Sequence, residues 1–522
     1  MSPSRRSLIA AAALAIPGGA FAASAKSPVA ATRHGKVRGY TENGVHVFKG
    51  VRYGADTAPR RFMPPVAPQA WSGVKEATAY AAASPQKSIK EPTSEDCLFL
   101  NVWTQGLADG ARRPVMFYVH GGAHASGSGS SPLYDGVNLA RRGDVVVVTV
   151  NHRLNVFGYN GFGRLAPDGP WADSGNVGNM DLILALQWVR DNIAQFGGDP
   201  DNVMVFGQSG GGAKLVTLMA MPSARGLYHR VATMSGQHVH AMGSIHAAQR
   251  ARAYMAHLGL KPDQLDALRT MPVEKLTQAL RMTDPLEGDG DIIFWSVVDH
   301  RSLTRHPFFP DAPRESADIP MIIGNTHDET KAFLGGYPKN FQLTWDELAA
   351  RLEPELVLDV DTNHVIAQYR KLYPNYSPSD VFFAASTAGR SWPGHLVQAE
   401  QRARIGAPAW MYQLDFGSPL DGGKMGAYHS FDIGLVFDNC HVAESKTGNT
   451  AEARAVAAKM SDAFIAFART GNPNNPSIPN WTPYELERRS TLVVDVDTRM
   501  QDDPRREERL LFSVAPYFKP GS

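Results

Sequence analysis

The chain has 522 residues, 43% hydrophobic and 20% charged, an ordinary balance for a globular protein with a sizeable core. Its 52 Lys+Arg against 51 Asp+Glu give a formal net charge of +1, which argues against a nucleic-acid binder. Two cysteines exclude a disulfide scaffold and a multi-cysteine zinc site.

Residues 1–25 read as an export signal. Arg5 and Arg6 supply the positive region, and residues 8–16 form an apolar, Ala-rich stretch too short to span a bilayer. Ala20-Phe21-Ala22 puts small residues where a signal peptidase reads. Ser4-Arg5-Arg6-Ser7-Leu8-Ile9 also resembles a twin-arginine signal. The expectation is an exported protein, periplasmic or secreted, with no membrane span and with residues 26–522 as a single domain. In an oxidising compartment Cys97 and Cys440 could pair, or stay as two separate buried thiols.

Strand and helix signals then alternate. Residues 115–120 and the β-branched run 145–151 read as strands, the latter buried on both faces. Residues 181–196 read as a helix, with Leu182, Ala185, Leu186, Val189, Ile193 and Phe196 on one face. Residues 203–206 form a short strand, followed by a glycine-rich turn and a helix-compatible run to Met221. Further strands are expected at 231–234, 321–323 and 410–416, and a late helix at 451–470. This order implies an α/β protein with a mostly parallel sheet. Residues 240–310 are more helical and aromatic and read as an insertion over the sheet; Phe294, Trp295, Phe308 and Phe309 would line a pocket or join the core.

Gly207-Gln208-Ser209-Gly210-Gly211 fits G-x-S-x-G between a strand and a helix. A tight turn there exposes a serine hydroxyl at a helix N-terminus, where partial positive charge favours a developing anion. The segment lacks the Gly-Lys-Ser/Thr ending of a nucleotide loop. His120-Gly121-Gly122-Ala123 follows a strand and fits an oxyanion loop, whose backbone amides would act with that of Gly210.

A serine nucleophile needs a histidine base and an orienting acid. A late histidine preceded by an acid at a strand end leaves Asp328 or Glu329 with His429; His364 and His395 lack such a strand.

Taken together, these residues resemble the type-B carboxylesterases, the carboxylesterase/cholinesterase-like branch of the α/β-hydrolases. Gly50-Val51-Arg52-Tyr53-Gly54, Arg61-Phe62-Met63-Pro64-Pro65, Glu95-Asp96-Cys97-Leu98-Phe99-Leu100-Asn101 and Phe467-Ala468-Arg469-Thr470-Gly471-Asn472-Pro473 are similar to family motifs in the family's order. The resemblance implies an α/β-hydrolase fold and a Ser-Glu-His triad, Ser209, Glu329 and His429. It implies oxyanion donors at Gly122, Ala123 and Gly210, and a supporting serine at Ser235. It implies a serine carboxylic-ester hydrolase working through an acyl-enzyme on a small-molecule ester, with no cofactor and no metal. Oligomeric state and the natural ester stay open. Other uses of the same architecture are a catalytically silent binding protein, or an amidase, lactonase or lipase.

The chain departs from the family pattern at its centre. Gln208 and Gly210 replace the Glu and Ala of G-E-S-A-G, and Ala123-His124 replaces a glycine and an aromatic residue. These changes are expected to alter the pocket rim. Ser84 stands where the family has the disulfide partner of the cysteine equivalent to Cys97.

Overall fold

Valine-rich runs build the middle of one large sheet. The computed structural model describes residues 27–288 and 290–517, so the export signal expected at residues 1–25 lies outside the described residues. Eleven strands pair in this sheet. In chain order they are β1 (Tyr40–Glu42), β2 (Val45–Arg52), β3 (Phe99–Thr104), β4 (Arg113–Val119), β5 (Val146–Val150), β6 (Gly198–Gln208), β7 (Arg230–Met234), β8 (Met321–Thr326), β9 (Ala409–Leu414), β10 (Ser490–Val494) and β11 (Arg499–Asp502). Across the sheet the order is β11-β10-β9-β8-β7-β6-β4-β5-β3-β2-β1. Pairing is parallel from β5 to β10 and antiparallel at both edges.

A parallel sheet must be covered on both faces, which explains why its strands are apolar throughout. Alternate residues serve alternate layers. Phe117, Val119, Val146 and Val148 pack with Leu182, Leu186 and Val189 of helix α1 (Val177–Asn192). Met116, Tyr118, Val147 and Phe206 pack with Val456, Met460, Phe464 and Phe467 of the late helix Ala451–Thr470. Each such side chain contributes about 1.5–3 kcal/mol by leaving water. The late helix starts where Thr450 Oγ1 accepts from Ala453 N at 3.1 Å and stops at Gly471, whose φ of +79° reverses the chain.

The expected boundaries shift in several places. β6 runs from Gly198 rather than 203, because its Gly/Asp/Pro-rich start pairs with Arg113 at the beginning of β4. Helix α1 begins at Val177 rather than 181, and residues 193–196 form a separate 3-10 turn ending at Gly197. Residues 240–310 do form an insertion, with helices Ser244–His257 and Val273–Ala279 over their own apolar cluster. Phe294 is buried in that cluster, Trp295 in a smaller one and Phe308 in the core against the sheet, whereas Phe309 is 52% exposed. A second helical block goes beyond expectation: Trp345–Leu352, Thr362–Leu372 and Pro378–Ser386 pack together around Leu348, Val365, Tyr369 and Phe382. Cap signals at Thr344, Asp361 and Ser377 mark their starts in the sequence.

Cys97 and Cys440 are both buried and unpaired. They belong to the two different core layers, so the sheet separates them. Ser84 sits beside Cys97, and burial pushes that thiol upward, away from thiolate chemistry.

Candidate active site

Ser209 joins β6 to helix α2 (Gly210–Met219) with φ +56° and ψ −126°, outside the ordinary regions for a non-glycine residue. The turn is held by Ser209 N donating to Met234 O of β7 at 2.7 Å, and by Ala213 N donating to Ser209 O at 3.0 Å. The two flanking glycines are steric requirements. A Cβ on Gly207 would lie 2.8 Å from Val119 O, and one on Gly211 would lie 2.0 Å from the same oxygen. The strain at Ser209 is thus fixed by its neighbours on β4 and β7.

Glu329 follows β8 and is fully buried. Its Oε1 accepts from Ser235 Oγ at 2.5 Å and from Thr326 N at 2.9 Å, and its Oε2 meets His429 Nδ1. Burial alone would raise its carboxyl. The facing His429, helped by His395 and Ser235, outweighs burial and holds it down at about 2. Ser235 is itself a positive-φ residue, anchored by its N–H on Gly324 O at 2.7 Å.

Asp328 has a different task. It accepts from Ala427 N at 3.0 Å, its own N–H donates to Ala427 O at 2.9 Å, and it pairs with Lys331 at 3.1 Å. It therefore clamps the loop that carries His429 rather than facing the imidazole. Despite burial, His327 and Lys331 hold its carboxyl well below the usual range. His364, in the Thr362–Leu372 helix, takes no part in this cluster.

The loop after β4 presents Gly121, Gly122 and Ala123, the last two at φ +85° and +51°. Gly122 O accepts from Ala125 N and Ser126 N at 3.1 and 3.0 Å, and His120 Nδ1 lies 2.9 Å from Gly121 O. Burial pushes His120 down to about 3, so its ring is neutral near pH 7 and Nδ1 carries the donated proton. With the carbonyls engaged, the amides of Gly122 and Ala123 have no acceptor among the described residues, nor has that of Gly210 at the start of α2.

His124 is 3% exposed, its Nε2 lies 3.3 Å from Ser296 Oγ, and its ring meets Tyr159 edge-on at 4.6 Å. An aromatic-to-histidine change there is accommodated by a buried hydroxyl partner.

Four further residues join the cluster without having been singled out as members. Gln208 Nε2 lies 3.1 Å from His429 Nε2. Asp432, three residues after the histidine, receives the Tyr412 hydroxyl at 2.8 Å, and burial pushes it up to about 7. His395, on the helix Trp392–Arg404, is buried within electrostatic reach of Glu329 and His429, and desolvation lowers it to about 4. Lys214 is the one charged residue of α2, a signal legible in the sequence. Among the described residues no cluster of three or more His, Cys, Asp or Glu is arranged to hold a metal ion, and no helix is long and apolar enough to cross a membrane.

The sheet order, with a strained serine at the end of β6, defines the α/β-hydrolase fold. The chain belongs to the carboxylesterase family, whose profile matches residues 26–512, and it is a carboxylic ester hydrolase. It is 36% identical over 495 residues to the para-nitrobenzyl esterase of Bacillus subtilis (strain 168), covering 92% of this chain and 97% of that protein. It is 32% identical to the phenmedipham hydrolase of Pseudarthrobacter oxydans, covering 90% and 95%. The crystal structure of the Geobacillus stearothermophilus carboxylesterase EST55 at pH 6.2 superposes with a TM-score of 0.83 at 36% identity, covering 93% of this chain and all of that one.

Proposed function

We propose that the chain hydrolyses esters through an acyl-enzyme on Ser209. His429 takes the Ser209 proton as the hydroxyl attacks the ester carbonyl. Glu329 holds the imidazole with Nδ1–H toward itself and stabilises the imidazolium that forms. The tetrahedral oxyanion rests on the amides of Gly122, Ala123 and Gly210. His429 then protonates the leaving alcohol, and in the second half-reaction activates water to release the acid. Ser235 keeps Glu329 oriented and charged. The observation that carries this reading is the imidazole of His429, tied to Glu329 on one nitrogen and, on the other, to the side-chain amide of Gln208, the residue before the strained Ser209.

The leaving-alcohol side has its own feature. The Phe333 ring lies 4.8 Å from that of His429 and is 45% exposed. An exposed aromatic beside the proton donor suits an ester of an aromatic alcohol, in keeping with the para-nitrobenzyl esterase relative. The signal features at Arg5, Arg6 and Ala20-Phe21-Ala22 support an exported enzyme. N-terminal sequencing of enzyme recovered from periplasm and medium tests export: an intact residue 1 in the extracellular form would rule out the signal.

The mechanism is tested with Ser209→Ala and a fluorophosphonate probe. Wild-type enzyme takes up one equivalent of probe. The variant takes up none and loses about 10⁴-fold or more in kcat. Wild-type turnover by the variant would remove Ser209 as the nucleophile.

A further inference from the structure

Helix α2 is buried along its whole length, and Lys214 on its second turn is 0% exposed. Among the described residues no carboxylate pairs with it, and desolvation alone pushes its ammonium down to about 7. A buried amine without a counter-ion is costly unless its donors are used. Here they are used on backbone: Nζ donates to Ala123 O at 2.8 Å and to His120 O at 3.4 Å. These two carbonyls are the ends of the segment that carries the Gly122 and Ala123 amides.

The carbonyls between them are also held, Gly121 O by His120 and Gly122 O by the Ala125 and Ser126 amides. In a trans peptide the N–H points opposite to the carbonyl of the same unit. The Gly122 and Ala123 amides share peptide units with Gly121 O and Gly122 O, so those contacts aim the two amides, and Lys214 fixes the peptide units on either side of them. Ala123 also needs outside support, because its φ of +51° is one that alanine adopts only when its surroundings hold it there. Its carbonyl is pressed against the start of α2, where a Cβ on Gly210 would lie 2.0 Å from Ala123 O.

We propose that Lys214 is a positioning residue for ester hydrolysis: from behind the nucleophile helix it holds the His120–Ala123 segment so that the Gly122 and Ala123 amides face the reacting carbonyl. The proposal rests on the oxyanion reading given above. Lys214 touches neither substrate nor reacting atoms and acts through Ala123.

The test compares two ketones on wild-type, Lys214→Met and Lys214→Gln enzymes. An aryl trifluoromethyl ketone adds the serine oxygen to its carbonyl carbon, passes the serine proton to the histidine, and leaves an oxyanion in the hole. The matching methyl ketone occupies the same cleft largely without adding. Gln is one bond shorter than Lys, so it keeps a polar group in place for folding but falls short of Ala123 O. For both variants the trifluoromethyl ketone is expected to weaken about tenfold or more, with kcat falling in parallel. The methyl ketone and KM should stay within about threefold of wild type. Weakening of less than about threefold for the trifluoromethyl ketone in a folded variant, or equal weakening of both ketones, overturns the proposal. Should wild-type enzyme itself bind the two ketones equally, the oxyanion reading fails instead, so the two failures are distinguishable.

Discussion

Gln208 Nε2 lies 3.1 Å from His429 Nε2, on the imidazole nitrogen opposite the one that faces Glu329. The residue preceding the candidate nucleophile thus bonds the nitrogen that the serine hydroxyl addresses in the proposed mechanism. A neutral amide in this position places no charge beside the imidazole. A carboxylate there would favour the imidazolium. Gln208→Glu is therefore expected to move the acid limb of the kcat/KM profile upward by about one pH unit or more. An unmoved limb in paired pH–rate profiles would mean that the amide has no electrostatic part in the base's titration.

Gly210 and Ala123 share one small space. A Cβ on Gly210 would come within 2.0 Å of Ala123 O and 2.4 Å of Ala123 Cα, both backbone atoms. Gly210→Ala should displace the loop that carries the proposed oxyanion donors and cost about 10²-fold in kcat, the typical loss for one oxyanion donor. Adding Ala123→Gly frees the loop backbone to move and should restore part of that loss. Steady-state kinetics on the single and double variants measure the coupling.

Glu329 links the site to acid stability. Its folded carboxyl is depressed to about 2 from an ordinary value of 4.5. Ionised Glu329 therefore stabilises the fold fully above about pH 4.5, and this contribution is lost as pH falls toward 2. Glu329→Gln should flatten the pH dependence in that window. Urea midpoints between pH 5 and 2.5, wild type against variant, read this directly.

Arg153 and Asp181 form a forked ion pair at 2.6 and 2.8 Å, with both side chains almost completely buried between β5 and α1. Asp181→Asn leaves the guanidinium without its counter-charge, at a cost of about 3–5 kcal/mol. A chain of this size is best compared by unfolding rate, and the variant should unfold faster by orders of magnitude.

The two thiols lie in different core layers, so reduction has nothing to break. Thermal unfolding should be unchanged by dithiothreitol, and the unfolded, unreduced protein should titrate two free thiols.

Local pattern carried much of this protein's architecture. The valine runs, the apolar face of α1, the Thr450 and Gly471 caps and the glycines around Ser209 each act over a few residues, where steric and hydrophobic rules are decisive. The helical block at 345–386 was missed although its caps were legible, because its short apolar stripes face one another rather than the sheet.

What the sequence by itself determined was the α/β alternation, the turn at Ser209 and a short set of acids and late histidines. Tertiary structure decided which of them meet. It turned Glu329 toward His429 and Asp328 toward the loop beneath it, and it buried His124 against Ser296. It also set the departures at Ala123 and Gly210 against each other and drove Lys214 behind both. Residues far apart in the chain acquire such relations only when the sheet sets neighbouring strand ends side by side. Desolvation then makes each contact there matter more than spacing could show.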